Sequence, residues 1–263
     1  MSADPNNAEK LKITKIKGRV SEQREDFVVQ EVPLTIMANG TELVTLLCSP
    51  IDIENLVSGF LFTSGLIFKI SDLKTIRVDK KRWTVYVDLI EDSLIKERTF
   101  KRVYTSGCGR GTLFYDANDF IRRGKVESDL KIPRDYIYAT MKQFQKMSDL
   151  YRQTGGVHSS AVADMRAILV FRDDIGRHNT IDKVIGYCVA RNLPVDDKIL
   201  LTSGRISSEV LLKAQKIGFP IVISKSAPTN QAVNLARDME ITLIGFVRGQ
   251  SMNIYSEPER ILY

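Results

Sequence analysis

The chain has 263 residues, 43% of them hydrophobic, enough for one large domain or two small ones with a proper core. Its net charge of +6 favours anionic partners: nucleic acid, anionic small molecules or acidic protein surfaces. The three cysteines, Cys48, Cys108 and Cys188, are odd in number and too widely spaced for metal ligation, which excludes a disulfide framework and fits a reducing cytoplasm.

The opening residues are polar and lack an apolar core of the secretory type, and the densest apolar stretch, FLFTSGLIF at 60–68, is far too short to span a membrane. Lys10, Lys12, Lys15, Lys17 and Arg19 form the one basic run. No interleaved aromatics or nucleic-acid motif accompany it, so residues 1–15 are expected to form a flexible, solvated arm.

From 16 to 131 the pattern predicts a small α+β domain. Asn39-Gly40 between two apolar runs signals a hairpin, because both residues tolerate positive φ. Ser49 and Pro50 open a helix carrying Ile53, Leu56, Val57, Phe60 and Leu61 at helical spacing, with Gly65 placed to end it. A second hairpin, KTIRV and WTVYVDLI, follows. Residues 104–131, containing YTSGCGRGT, read as a long functional loop that ends this domain.

From 132 to 263 the rhythm changes. A helix over 134–150 precedes paired strands (VHSSAVAD, AILVF), then helix, strand, helix, strand, helix and a final strand, ITLIGFV. Such alternation with near-continuous apolar strands predicts an α/β domain whose mainly parallel sheet is covered on both faces.

Ligands of open α/β sheets bind beyond the carboxyl ends of the strands. Four segments there are loaded: RDDIGRHNT with Asp173, Asp174, Gly176, Arg177, His178 and Asn179; SGRISSE with Ser203, Gly204, Arg205, Ser207 and Ser208; KSAPTN; and RGQSMN. Each joins a basic residue to small or hydroxyl residues near a helix start, the chemistry of an anion cradle. Capping alone accounts for Ser226 and Thr229, but Arg177, Arg205 and Arg248 together point to a polyanionic ligand. Neither G-x-x-x-x-G-K-[ST] nor G-x-G-x-x-G is present, and no H-x-E with P-C-x-x-C supports zinc deamination. His178 is grouped with its loop, whereas His158 is assigned no role.

Among the thiols, Cys188 shares a helical stripe with Ile181, Val184 and Ile185, and Cys48 ends an apolar strand, so both read as small core residues. Cys108, between Gly107 and Gly109 with Arg102 and Arg110 near in sequence to favour thiolate, reads as a mobile nucleophile.

TGGVHSSA (154–161), DDIGRHNTIDKVIG (173–186), LTSGRISSEVLLKA (201–214), SAPTNQAVNLA (226–236) and GFVRGQSMNIYSEPERI (245–261) resemble the successive blocks of the FdhD family of formate dehydrogenase accessory proteins. The resemblance implies a cytidine-deaminase-like, three-layer C-terminal domain without zinc, and a cytoplasmic homodimer that uses neither nucleic acid nor membrane. It implies a sulfurtransferase-type sulfur carrier of molybdenum cofactor biosynthesis, with Cys108 holding sulfane sulfur from a cysteine desulfurase as a persulfide. The recipient is Mo-bis(molybdopterin guanine dinucleotide), before insertion into formate dehydrogenase, and a guanine nucleotide would be a partial mimic. The family's cofactor-contacting segment falls on Phe246, Val247, Arg248, Gly249, Gln250 and Ser251. The second cysteine of the family's C-x-x-C falls on Gly111, which leaves a cofactor-binding chaperone without sulfur transfer as the alternative.

Overall fold

The computed structural model describes residues 7–91 and 124–263, with the strands Arg102–Tyr104 and Thr112–Phe114 described by backbone alone. Cys108, the expected loop nucleophile, lies with Arg110 and Gly111 outside the described residues.

The described chain opens with a hairpin, β1 (Ala8–Lys17) and β2 (Val20–Val29), turning at Gly18 with φ +63°. This corrects the expectation of an irregular arm for the described residues up to 15. The basic run finds opposite charges across the ladder, Lys12 facing Glu25 and Lys15 facing Glu22, so a stretch that reads as a solvated arm gains cross-strand partners. Most of its side chains are nonetheless exposed.

Next come β3 (Val32–Ala38), β4 (Thr41–Cys48), α1 (Ile53–Thr63), β5 (Leu73–Asp79) and β6 (Thr84–Leu89), forming a sheet of order β4-β3-β6-β5. Asn39 (φ +46°) and Gly40 (φ +80°) make the predicted turn. α1 packs Leu56, Val57, Phe60 and Leu61 against Leu34, Ile36, Val85 and Val87, and Gly65 follows its end at φ +71°. The helix begins later than Ser49-Pro50 suggests, because Ser49 is used elsewhere: its N–H donates to Asp174 Oδ2 at 3.1 Å and its Oγ accepts from Ile175 N at 3.1 Å.

After the backbone strands β7 (Arg102–Tyr104) and β8 (Thr112–Phe114) come β9 (Ile132–Pro133), α2 (Arg134–Lys146) and α3 (Asp149–Thr154). The single helix expected over 134–150 is two, since Ser148 caps a new start by accepting from Tyr151 N at 2.9 Å. Then follow β10 (His158–Ala163), β11 (Ile168–Asp174), α4 (Arg177–Ala190), β12 (Ile199–Thr202), α5 (Ser208–Ile217), β13 (Ile221–Ser224), α6 (Asn230–Asp238), β14 (Thr242–Arg248), β15 (Ser251–Ser256) and β16 (Ile261–Leu262), which pairs with β9.

The six-stranded sheet runs β11-β10-β12-β13-β14-β15. It is mixed, which corrects the mainly parallel expectation: β12-β13 and β13-β14 are parallel, while β11-β10, β10-β12 and β14-β15 are antiparallel. Short turns join β10 to β11 and β14 to β15, and a short turn permits only antiparallel return. Both faces are buried, as predicted. Val162, Leu200, Val222 and Leu243 pack with α4, α5 and α6, whereas Ile199, Leu201, Ile221, Ile223 and Ile244 pack with Ile137, Met141 and Phe144 of α2.

α1 lies directly on α4 through glycine. A Cβ on Gly59 would overlap the carbonyl of Asp182, and one on Gly186 would overlap the carbonyl of Asn55. The two helix backbones therefore touch, and the N-terminal sheet is tied to the helix that opens with Arg177.

Candidate functional site

β11, β12, β13 and β14 all point the same way, so their C-terminal ends share one edge. β10 runs oppositely, and its first residue, His158, pairs with Asp174, the last of β11. The edge thus gathers Arg177, Ser203, Gly204, Arg205, Lys225 and Arg248 with His158.

The scaffold beneath is a buried polar lattice. Asp174 Oδ1 accepts from Gly176 N and Asn179 Nδ2, each at 2.8 Å, fixing the first turn of α4. Its Oδ2 meets Lys183 Nζ at 2.6 Å, both side chains having no exposure. A buried carboxylate so paired is held by geometry and costly to strip of its partner. Gly204 is buried, and a Cβ there would stand 3.0 Å from Arg177 Cβ and 3.6 Å from His158 Nδ1. Glycine is what lets the arginine stem and the imidazole approach together.

A cavity of about 560 Å³ opens at this edge, lined among others by His158, Ser159, Ser203, Lys225, Ser148 and Tyr151. Lys225 Nζ stands 5.3 Å from the Tyr151 ring centre. Behind the wall, Asp173 accepts from Ser159 Oγ at 2.6 Å and Ser148 Oγ at 2.8 Å; burial raises its carboxyl above the usual range, and the two hydroxyls partly offset that.

A second cavity of about 490 Å³ is lined by Tyr138, Met141, Lys142, Gln145, Val247, Gly249 and Gln250, and shares Gln145 with the first. Of the predicted segment, Val247 is core and forms part of this cavity's wall, Gly249 (φ +58°) and Gln250 make the β14–β15 turn, and Arg248 pairs with Ser251 across it. Phe246 is an exposed aromatic residue at φ +54°, in a bulge. Its N–H donates to Ser226 O at 3.1 Å, and Arg248 Nε donates to Lys225 O at 3.4 Å, joining the last two loops of the edge.

The structure directs His178 elsewhere. Its Nε2 is 3.1 Å from Glu209 Oε2 and 3.3 Å from Ser207 Oγ, between α4 and α5, and it lines neither cavity. Burial, then Lys213 and Arg177, push its imidazole down to about 2, so it is neutral and the contact is a hydrogen bond rather than an ion pair. The unfolded chain binds a proton at His178 between the ordinary histidine value and about 2, and the folded chain does not. Stability therefore falls as acid is added, by up to about 1.4 kcal/mol per pH unit from this group. His178→Gln is expected to flatten the fall in urea midpoint between about pH 6 and 5; an unchanged slope would place the acid sensitivity elsewhere.

The strand-end pattern took in Lys225 as the basic residue of KSAPTN but not His158. Lys225 directly follows β13 in KSAPTN, a signal in plain view. His158 precedes its strand, and only the antiparallel pairing brings it to the edge.

The class defined here is an α/β protein with a cationic strand-end site. A profile of the FdhD/NarQ family matches residues 29–262, and the chain belongs to that family. It is 47% identical over 240 residues to a Bacillus pumilus protein named sulfur carrier protein FdhD, covering 90% of this chain and 91% of that one. The Bacillus subtilis protein of the same name is 47% identical over 238 residues, with the same shares. A Desulfotalea psychrophila crystal structure, described as a candidate formate dehydrogenase accessory protein, superposes with a TM-score of 0.81 at 25% identity, covering 97% of this chain and all of that one.

Proposed function

We propose that this protein is a sulfur carrier for formate dehydrogenase maturation, with Cys108 as the carrying thiol and the strand-end edge as the cargo site. The observation that carries the reading is the fate of the other two thiols. Cys48 and Cys188 are fully buried, and burial pushes each up to about 12, so neither supplies a usable thiolate. Thiol chemistry falls to Cys108. Its thiolate attacks the outer sulfur of a cysteine desulfurase persulfide; the donor's S–S bond breaks as the new one forms, and the desulfurase cysteine leaves as thiolate.

The cargo in this reading is Mo-bis(molybdopterin guanine dinucleotide), whose pyrophosphates suit Arg177, Arg205, Lys225 and Arg248, and whose recipient is formate dehydrogenase. Phe246 offers an exposed aromatic face beside Arg248, whose guanidinium carbon is 6.0 Å from the ring centre. With Gly111 in place of a second thiol, an intramolecular attack that would release the sulfur as sulfide is unavailable, so a persulfide on Cys108 is kept for delivery. A cytoplasmic homodimer completes the proposal, by likeness to the family. Among the described residues no helix is long and apolar enough to cross a membrane.

Incubation with a desulfurase and cysteine tests the thiol half: the chain should gain one sulfur atom by intact mass, and no gain would overturn the reading. For the cargo half, Arg248→Ala is expected to weaken binding of a guanine nucleotide by about tenfold to a hundredfold, the range for a hydrogen bond to a charged group. Calorimetry reads this directly, and unchanged affinity would remove Arg248 from the site.

A further inference from the structure

His158 lines the first cavity together with Lys225 and Ser203. Ser203 Oγ accepts from Ser159 N at 2.9 Å and stands 3.4 Å from His158 Nδ1. The Ser203 hydroxyl, with one proton and a second lone pair, can either give to or accept from Nδ1.

Charged groups on several elements act on this ring. Burial, then Arg177 of α4 and Lys225 after β13, hold it below the ordinary histidine range, with Arg205 after β12 adding to the same effect. Asp174 of β11 acts the other way but is committed to Lys183. Asp173 of β11 is held by Ser148 and Ser159, and His178 of α4 is neutral. Lys225 in the cavity wall, with Arg177 packed near the half-buried imidazole across Gly204, makes a place suited to a negative charge.

We propose that this cavity is the phosphoryl subsite of the edge, and that His158 takes up a proton when a phosphate or pyrophosphate group enters it. The inference rests on the reading that the edge binds a nucleotide-bearing cargo. The entering anion offsets the charge of Arg177, Lys225 and Arg205, which act together with burial to keep the ring from charging. The proton comes from the buffer and leaves both ring nitrogens as donors, Nδ1–H giving to the Ser203 hydroxyl. His158 would thereby change from a neutral wall residue into a charge-assisted donor only while cargo is present.

Calorimetry with GDP, and separately with inorganic pyrophosphate, in buffers of different ionisation enthalpy tests this, with guanosine as the ligand lacking phosphate. The wild-type chain should take up a fraction of a proton per phosphoryl ligand and none for guanosine, and GDP affinity should rise by up to about tenfold per pH unit between about pH 8 and 7. His158→Gln keeps a hydrogen-bond donor but cannot titrate, so its difference from wild type isolates His158 from the ligand's own protons. That variant should lose the uptake, while His178→Gln should retain it. GDP binding with heats independent of buffer, or the same uptake in His158→Gln, would overturn the inference alone. Absence of GDP binding to the wild-type chain would overturn the cargo reading and the inference with it.

Discussion

Cys108→Ser is expected to accept no sulfur from a cysteine desulfurase, while Cys48→Ser and Cys188→Ala accept it as the wild-type chain does. The size of the effect follows from thiolate supply. A thiol held at about 12 is ionised in about one molecule in 10⁵ at neutral pH, and burial denies even that fraction a partner. Cys48 lies where β4 meets α1, and Cys188 packs inside α4 among Val184, Ile185 and Val189, so neither can approach a second protein without unfolding. Intact mass reads the outcome. Sulfur retained on the Cys108 variant would mean that one of the buried thiols becomes exposed in solution and that the carrier assignment is wrong.

The second large effect is structural. Gly59→Leu is expected to destabilise the fold by more than about 4 kcal/mol, against a typical total of about 5–15 kcal/mol. Its first side-chain atom would overlap the Asp182 carbonyl, and helix backbone has no rotamer with which to give way. Separating α1 from α4 would also break the bond from Thr63 Oγ1 to Asp182 at 2.9 Å and disturb the pair of Asp182 with Lys213 Nζ at 2.5 Å. Leaving a buried charge without its partner is costly in itself. Urea unfolding gives the measure, and a wild-type midpoint would show that the helices slide apart freely. Since α4 opens with Arg177, a loosened α1–α4 contact should also weaken nucleotide binding in whatever fraction remains folded.

The elements legible in the sequence were those set by local chemistry. The Asn39-Gly40 turn, the spacing of Leu56, Val57, Phe60 and Leu61, and the apolar strands of the main sheet all depend on neighbours in the chain. Long-range pairing was less visible. β1 was hidden by its lysines, whose partners Glu22 and Glu25 lie in the next strand. β15 was hidden by the bulge at Phe246 and the turn at Gly249, which break the alternation just before SMNIYS. The glycine contact between α1 and α4 has no sequence signature, because Gly59 and Gly186 meet only once the two units are assembled.

The site divides the same way. Arg177, Ser203, Gly204 and Arg205 follow strands that share a direction with β14, which Arg248 ends, so inspecting strand ends found them. His178 sits in one of those segments yet turns toward Glu209, because the N-terminal turn of a helix presents successive side chains on different faces. His158 reaches the edge from the opposite direction. Its importance follows from sheet topology, which the spacing of residues along the chain does not encode.

The account depends on one protein both carrying sulfur and holding the molecule that receives it. The most direct measurement loads Cys108 with radiolabelled sulfane sulfur, adds Mo-bis(molybdopterin guanine dinucleotide), and follows the label after the two are separated. The label should move to the cofactor, and much more slowly when Arg248→Ala weakens the cargo site. Cofactor that binds while all the label stays on Cys108 would contradict the account.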